Sequence, residues 1–215
     1  MKFPFPLPDK PLVLASSSPR RAELLKKIGL DFRVHPSAVY EDDLLHLDPL
    51  AMVNALAQRK AATVGQQYER ALVIGADTTV VLAGKNLGKP ESHAEACEML
   101  ATLSGKTHLV YTGFALLDRP SDRSINEVEK TEVTFRRLST AEIEAYVSTG
   151  AAMDKAGAYG IQDFSAVFTE RINGCFYNVV GFPLTRFYLA LRSLAQEKET
   201  PIKLELQRIK QQRIF

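Results

Sequence analysis

Three short stretches of the chain combine residue types suited to holding or cutting a phosphate ester. The first is Ser16-Ser17-Ser18-Pro19-Arg20-Arg21. An apolar run leads into a serine-rich turn and then a helix start, where free N–H groups, hydroxyls and the helix dipole favour an anion. Arg20 and Arg21 add two planar cationic forks that match phosphate geometry. A capped surface helix with two solvated arginines is the alternative. The second is Lys60. On a helical wheel it falls within the apolar stripe of Val53, Leu56, Ala57 and Val64. A lysine there must snorkel, meet a carboxylate or meet a phosphate. The third is Asp77, which closes the apolar run ALVIGA and precedes Thr78. A carboxylate at that place is suited to a metal ion or to the work of a general base, because ligands bind at the carboxyl edge of open α/β sheets. An Asx turn is the alternative.

Weaker signals accompany these. Glu41, Asp42 and Asp43 form an acidic run, one member of which could complete a divalent-metal site with Asp77. Lys89 follows a glycine and precedes a proline. The loop DKAGAYGIQ, residues 154–162, is small-residue-rich and lets a backbone approach a flat ligand. It ends on Gln162, whose amide can pair with the edge of a base. None of the four histidines forms an i, i+4 pair. The chain contains no HExxH, GxSxG, P-loop or GxGxxG pattern.

The elements that must carry these residues are marked by caps and breakers. Leu12–Ala15 reads as a buried strand, with a helix from Ser18-Pro19 to Gly29. A second short strand spans 31–34, followed by an acidic loop over 35–47. Asp48-Pro49 opens a helix to about Gln67, and a strand over 71–76 follows. Residues 78–82 either continue that strand or begin a hairpin through Ala83-Gly84-Lys85-Asn86. Ser92 with Glu95 and Ser139 with Glu142 are capping boxes, opening helices that close at Gly105 and Gly150. Two β-like stretches lie between them, near 107–117 and 126–137. Asn173-Gly174 predicts a type I′ hairpin. Pro183 opens a helix to about Gln196, and the basic tail 197–215 carries a marginal helical spacing. Helices and strands so mixed, with hairpins interrupting any βαβ repeat, predict an α/β protein with a mixed sheet and flanking helices.

Bulk properties exclude several classes. The 215 residues suit one sizeable domain: an extension over 1–11, a body over 12–196, and the tail. With 27 basic and 25 acidic side chains the net charge is +2, which argues against a nucleic-acid coat but permits a local basic pocket. An RNA-binding module is disfavoured for the same reason, and by the lack of aromatic-basic strands. The two cysteines fit no zinc or redox spacing and read as reduced thiols of a cytoplasmic protein. The Pro-rich start has no signal-peptide core, and no apolar run approaches the ~20 residues of a membrane helix.

Taken in order, LASSSPRR, IGADTTVV, LGKP, DKAGAYGIQ and VVGFPL resemble the Maf family of nucleotide pyrophosphatases over about residues 11–195. Within it, Arg20, Thr78 and Gln162 resemble the dTTP/UTP pyrophosphatase subgroup; the subgroup acting on 7-methyl-GTP differs at those three places. The resemblance implies an elongated two-lobed molecule with a central cleft, similar to inosine triphosphate pyrophosphatases, and commonly a homodimer. It implies Asp77 as proton acceptor, with Glu41 sharing a divalent cation, Mg²⁺ or Mn²⁺. Arg20, Arg21, Lys60 and Lys89, with Ser16 and Ser18, would hold the triphosphate, and Arg20, Thr78 and Gln162 would select the base. The implied role is cleaning of the nucleotide pool, with a link to cell-division arrest. Two rivals differ in kind: a non-catalytic nucleotide sensor acting on cell division, and a purine-directed pyrophosphatase.

Overall fold

The computed structural model describes residues 3–197, so the tail after 197 lies outside the described residues. Seven strands form one mixed sheet: β1 (Leu12–Leu14), β2 (Arg33–Val34), β3 (Ala71–Leu82), β4 (Lys85–Leu87), β5 (Thr107–Arg119), β6 (Arg123–Phe135) and β7 (Thr169–Asn173). The order is β2-β1-β3-β5-β6-β7, with β4 folded back on the end of β3. Strand β1 runs parallel to β2 and β3, and all other pairs are antiparallel. Among the described residues the α-helices are α1 (Pro19–Lys27), α2 (Pro49–Gly65), α3 (His93–Leu103), α4 (Thr140–Ser148), α5 (Phe176–Val180) and α6 (Leu184–Glu197).

The open choice at 78–82 is resolved as continuation. Val and Thr side chains favour extended backbone, and β3 pairs with β5 without a break from Ala71–Arg119 to Val81–Leu109. Only then does the chain turn, at Ala83 and Gly84, both with positive φ as a two-residue hairpin requires. Helix α2 starts where Asp48 accepts hydrogen bonds from the N–H groups of Leu50 and Ala51. Ser139 and Glu142 form a complete capping box at α4. At α3 only half a box exists: Ser92 accepts from the Glu95 N–H, but the Glu95 carboxylate turns to the N–H of Glu91.

The hairpin expected at Asn173-Gly174 is absent. β7 ends there, and the next residues form helix α5 instead of a returning strand. Gly174 has φ +133, outside type I′ geometry, and a Cβ on it would stand 2.9 Å from Thr131 Oγ1. The Thr131 hydroxyl oxygen accepts the Cys175 N–H and turns the chain inward. Asn178 is thereby buried, donating to Val110 O and Thr131 Oγ1. Tertiary capture of the backbone overrides the local turn signal.

On one face of the sheet two hydrophobic cores lie along β3. One contains Leu72, Ile74 and Ala76 and packs α1 and α6 with Phe114, Phe182 and Phe187. The other contains Val80 and packs α3 and α4 with Val110, Phe135 and Phe168. On the other face of the sheet, α2 lies on β3 and β5 through Ala57, Ala61 and Val64. The lead-in is part of the first core, where Phe5 and Phe3 meet Tyr188 of α6. No helix among the described residues is long and apolar enough to cross a membrane.

His108 packs against Phe135 of the second core, its Nε2 2.8 Å from the hydroxyl of Tyr159 and its Nδ1 without a hydrogen-bond partner among the described residues. Burial pulls the imidazole down from 6.5 to about 4. The unfolded chain therefore takes up a proton that the native state refuses between those values. Stability is full above about pH 6.5 and falls, by about 3 kcal/mol from this residue, as the pH drops towards 4. Urea unfolding at pH 7 and pH 4.5 checks this: His108→Phe should lose less stability between the two than the wild type.

Candidate functional site

A cleft of about 1140 Å³ opens beside the middle of β3, lined from α1, α2, the 35–47 loop, β3, the 88–89 turn, the 154–163 loop and the turn after α5. Every residue to which the resemblance gives a role lies on it: Ser16, Ser18, Arg20, Arg21, Glu41, Lys60, Asp77, Thr78, Lys89 and Gln162. Of the acidic run only Glu41 reaches the cleft; Asp43 turns away to pair with Arg59. None of the four histidines lines it.

Asp77 stands mid-strand, paired across the ladder with Gly113 of β5, while on its other side the pairing with β1 ends at Ile74 and that with β4 begins at Val80. Lys60 comes down from α2 with 9% of its surface exposed. Its ammonium lies 2.7 Å from Asp77 Oδ1 and 2.8 Å from Glu41 Oε1. The anomaly on the helical wheel is therefore a lysine bridging two carboxylates. Helix α2 can come this close because β3 has Gly75 beneath it.

Arg21 is built in differently. Its Nε donates to Gly181 O at 3.1 Å, and its two terminal nitrogens donate to Ser16 Oγ and Thr78 Oγ1, each at 3.0 Å. All three partners are neutral. Burial pulls its guanidinium below the ordinary value while Asp77 acts in the opposite direction, and an arginine stays charged in a protein. Thr78 also meets Thr112 and Gly181 O, so its hydroxyl ties β3 to β5 and to the turn after α5. Ser18 occupies the N-cap position of α1 without a side-chain cap bond, and Ser16 Oγ accepts the Ser18 N–H.

Arg20 reaches across the cleft to Asp154, 2.7 Å from Oδ2. Burial acts to raise the Asp154 carboxyl, but hydrogen bonds from Lys155 and Arg20 outweigh it and hold it down at about 2. Five cations line the cleft: Arg20, Arg21, Lys60, Lys89 and Lys155. Arg20, Lys60 and Lys155 each have a carboxylate partner. Among the described residues Arg21 and Lys89 have none, so the uncompensated positive charge sits with them.

Glu41 and Asp77 converge on one nitrogen and offer hard oxygen donors. No third His, Cys, Asp or Glu joins them among the described residues. Such a pair fits an ion of the magnesium type, which is usually held by one or two carboxylates together with substrate phosphates and water. Reading the residues alone missed Asp154, Lys155, Asp163 and Gly181. The first two were visible as a charged pair opening a small-residue loop. Gly181 acts through its carbonyl, for which a sequence holds no signal.

The Maf-like protein family model matches residues 11–194. The chain belongs to the Maf family. This Maf protein is 52% identical over 175 residues to a dTTP/UTP pyrophosphatase of Moorella thermoacetica, covering 81% of this chain and 90% of that one. It is 45% identical to one of Desulforamulus reducens (87% and 98% covered) and 51% identical to one of Pelotomaculum thermopropionicum (82% and 93%). In this Maf protein Lys60→Met, which keeps the buried stem, should raise KM for a triphosphate about tenfold or more, the size of one charge-assisted hydrogen bond. Steady-state kinetics check it; unchanged KM would return Lys60 to a purely structural role.

Proposed function

We propose that this Maf protein hydrolyses dTTP and UTP to the monophosphate and pyrophosphate. The observation that carries the reading is a carboxylate, Asp77, sharing one cleft with two cations that lack a carboxylate partner, Arg21 and Lys89. The pyrimidine substrates rest on what the similar proteins are called. Asp77 accepts a proton from a water whose oxygen bonds to the α-phosphorus. The bond from that phosphorus to the bridging oxygen breaks, and pyrophosphate leaves with the bridging oxygen. Arg21, Lys60 and Lys89 hold the phosphates, helped by Ser16, Ser18 and the uncapped start of α1. Glu41 and Asp77 would hold Mg²⁺ or Mn²⁺, which supplies neutralisation of the triphosphate oxygens. Positioning and electrostatics then provide most of the acceleration.

Arg20, Thr78 and Gln162 select the base. Arg20 is turned to Asp154, which supports placing it in the wall of the base site more than against the phosphates. The reading includes a cytoplasmic homodimer; the two free cysteines suit a reducing compartment, and sedimentation would test the dimer. The deciding experiment measures pyrophosphate and monophosphate release from a panel of triphosphates with Mg²⁺. Turnover of dTTP and UTP supports the reading. Turnover of purines alone overturns the base selection, and tight binding without turnover makes the protein a sensor.

A further inference from the structure

The loop that ends on Gln162 is held by a chain of charges outside the reaction centre. Lys155 Nζ donates to Asp154 Oδ1 at 2.7 Å and to Ala151 O, and it stands 3.4 Å from Asp163 Oδ2. Asp163 in turn accepts from Tyr146 OH at 3.1 Å and from the Ser165 N–H at 2.9 Å. The Asp163 N–H donates to Gly160 O, closing a turn with Gln162 next to its end. At the other end of the chain Asp154 takes the Arg20 guanidinium. Arg20 on α1 and Gln162 on the loop, which share no hydrogen bond, are thus joined through Asp154, Lys155 and Asp163.

The lysine is also sized to its place. A Cβ on Gly160 would stand 2.5 Å from Lys155 Cε and 3.0 Å from Asp163 Oδ2. The stem therefore passes directly beneath Gly160, two residues from Gln162. Its side chain is 13% exposed, so a bound base would not meet it as an open surface charge.

We propose that Lys155 is a positioning residue for base selection, coupling Arg20 to Gln162 through Asp154 and Asp163. The inference rests on the reading of the protein as a pyrimidine-nucleotide pyrophosphatase. It goes beyond it in giving Lys155 a role for which neither phosphate binding nor proton transfer has a use. Two substitutions disturb the link from opposite sides: Lys155→Met removes the ammonium, and Gly160→Ala pushes the intact lysine off Asp163. Gly160 has no left-handed φ, and the colliding atoms are the end of a flexible side chain, so the second variant folds even if the first does not.

The experiment measures kcat and KM for UTP, with product inhibition by UMP and by pyrophosphate, in both variants and in Lys155→Arg. Expected is a rise of about tenfold in KM for UTP and in the inhibition constant for UMP, the size of one hydrogen bond. Inhibition by pyrophosphate should be unchanged, and Lys155→Arg should recover part of the loss. Equal weakening towards UMP and pyrophosphate, or no change towards either, would overturn the inference. A wild-type enzyme that releases no pyrophosphate from UTP would instead overturn the reading on which it rests.

Discussion

Asp77→Asn should lower kcat on the order of 10²-fold or more while leaving KM unchanged or lower. The substitution is isosteric, and the amide oxygen can still accept from Lys60, now 2.7 Å from Asp77 Oδ1. Strand β3 pairs with β5 without a break through this position, so the fold has no reason to move. What disappears is a proton acceptor and a negative charge. With the divalent ion at saturating concentration to offset the lost ligand, removing a negative charge from the cleft does not weaken the binding of a polyanion, and the loss falls on the chemical step. Pyrophosphate release under saturating UTP or dTTP, together with the thermal midpoint of the variant, checks both halves. Near-wild-type turnover would remove Asp77 from the role of base. A rise in KM with kcat intact would make it a binding residue.

Gly75→Ala is expected to be strongly destabilising. A Cβ at Gly75 would stand 2.1 Å from Ala57 O and 2.7 Å from the Ala61 nitrogen. Those atoms belong to the backbone of α2, a 17-residue helix that cannot swing aside like a side chain. Overpacking of this kind costs about 3 kcal/mol, the upper end of the usual range, or roughly 10 °C in melting temperature for a chain of this length. The activity should fall further than the folded fraction does. Lys60 lies between Ala57 and Ala61, so lifting the helix draws the ammonium away from Asp77 and Glu41, and a displacement of that order can cost about tenfold or more in rate. Activity measured well below the melting temperature separates the two effects. Gly65→Ala provides the comparison, because its methyl would meet only the end of the Leu117 side chain, and it should leave the rate unaffected. If Gly75→Ala melts earlier but turns over normally, the close approach of α2 serves stability alone.

The parts of this fold that were legible in the sequence are those decided within a few residues. Asp48-Pro49 and the Ser139–Glu142 box mark helix starts because the capping atoms are neighbours in the chain. The wheel singled out Lys60 because an apolar stripe is a local pattern. It left open what Lys60 meets, since Glu41 and Asp77 arrive from a loop and a strand whose placement depends on the whole sheet. Asn173-Gly174 misled for the same reason: the turn chemistry is local, but the Thr131 hydroxyl that redirects the backbone lies on a different strand. The linkage through Lys155 was hidden although its motif was in view. A charged pair before a small-residue loop says nothing of the Arg20 and Asp163 side chains that complete it.

Strand β3 gives side chains to both hydrophobic cores and changes from one to the other between Ala76 and Val80. Asp77 and Thr78 occupy that changeover, and β5 runs alongside without a break. Mechanically the two cores hang from one doubled beam, and the Asp77 carboxylate sits at the join between them. A strand clamped in two cores cannot slide relative to either, so the place of Asp77 is fixed jointly by the packing of both.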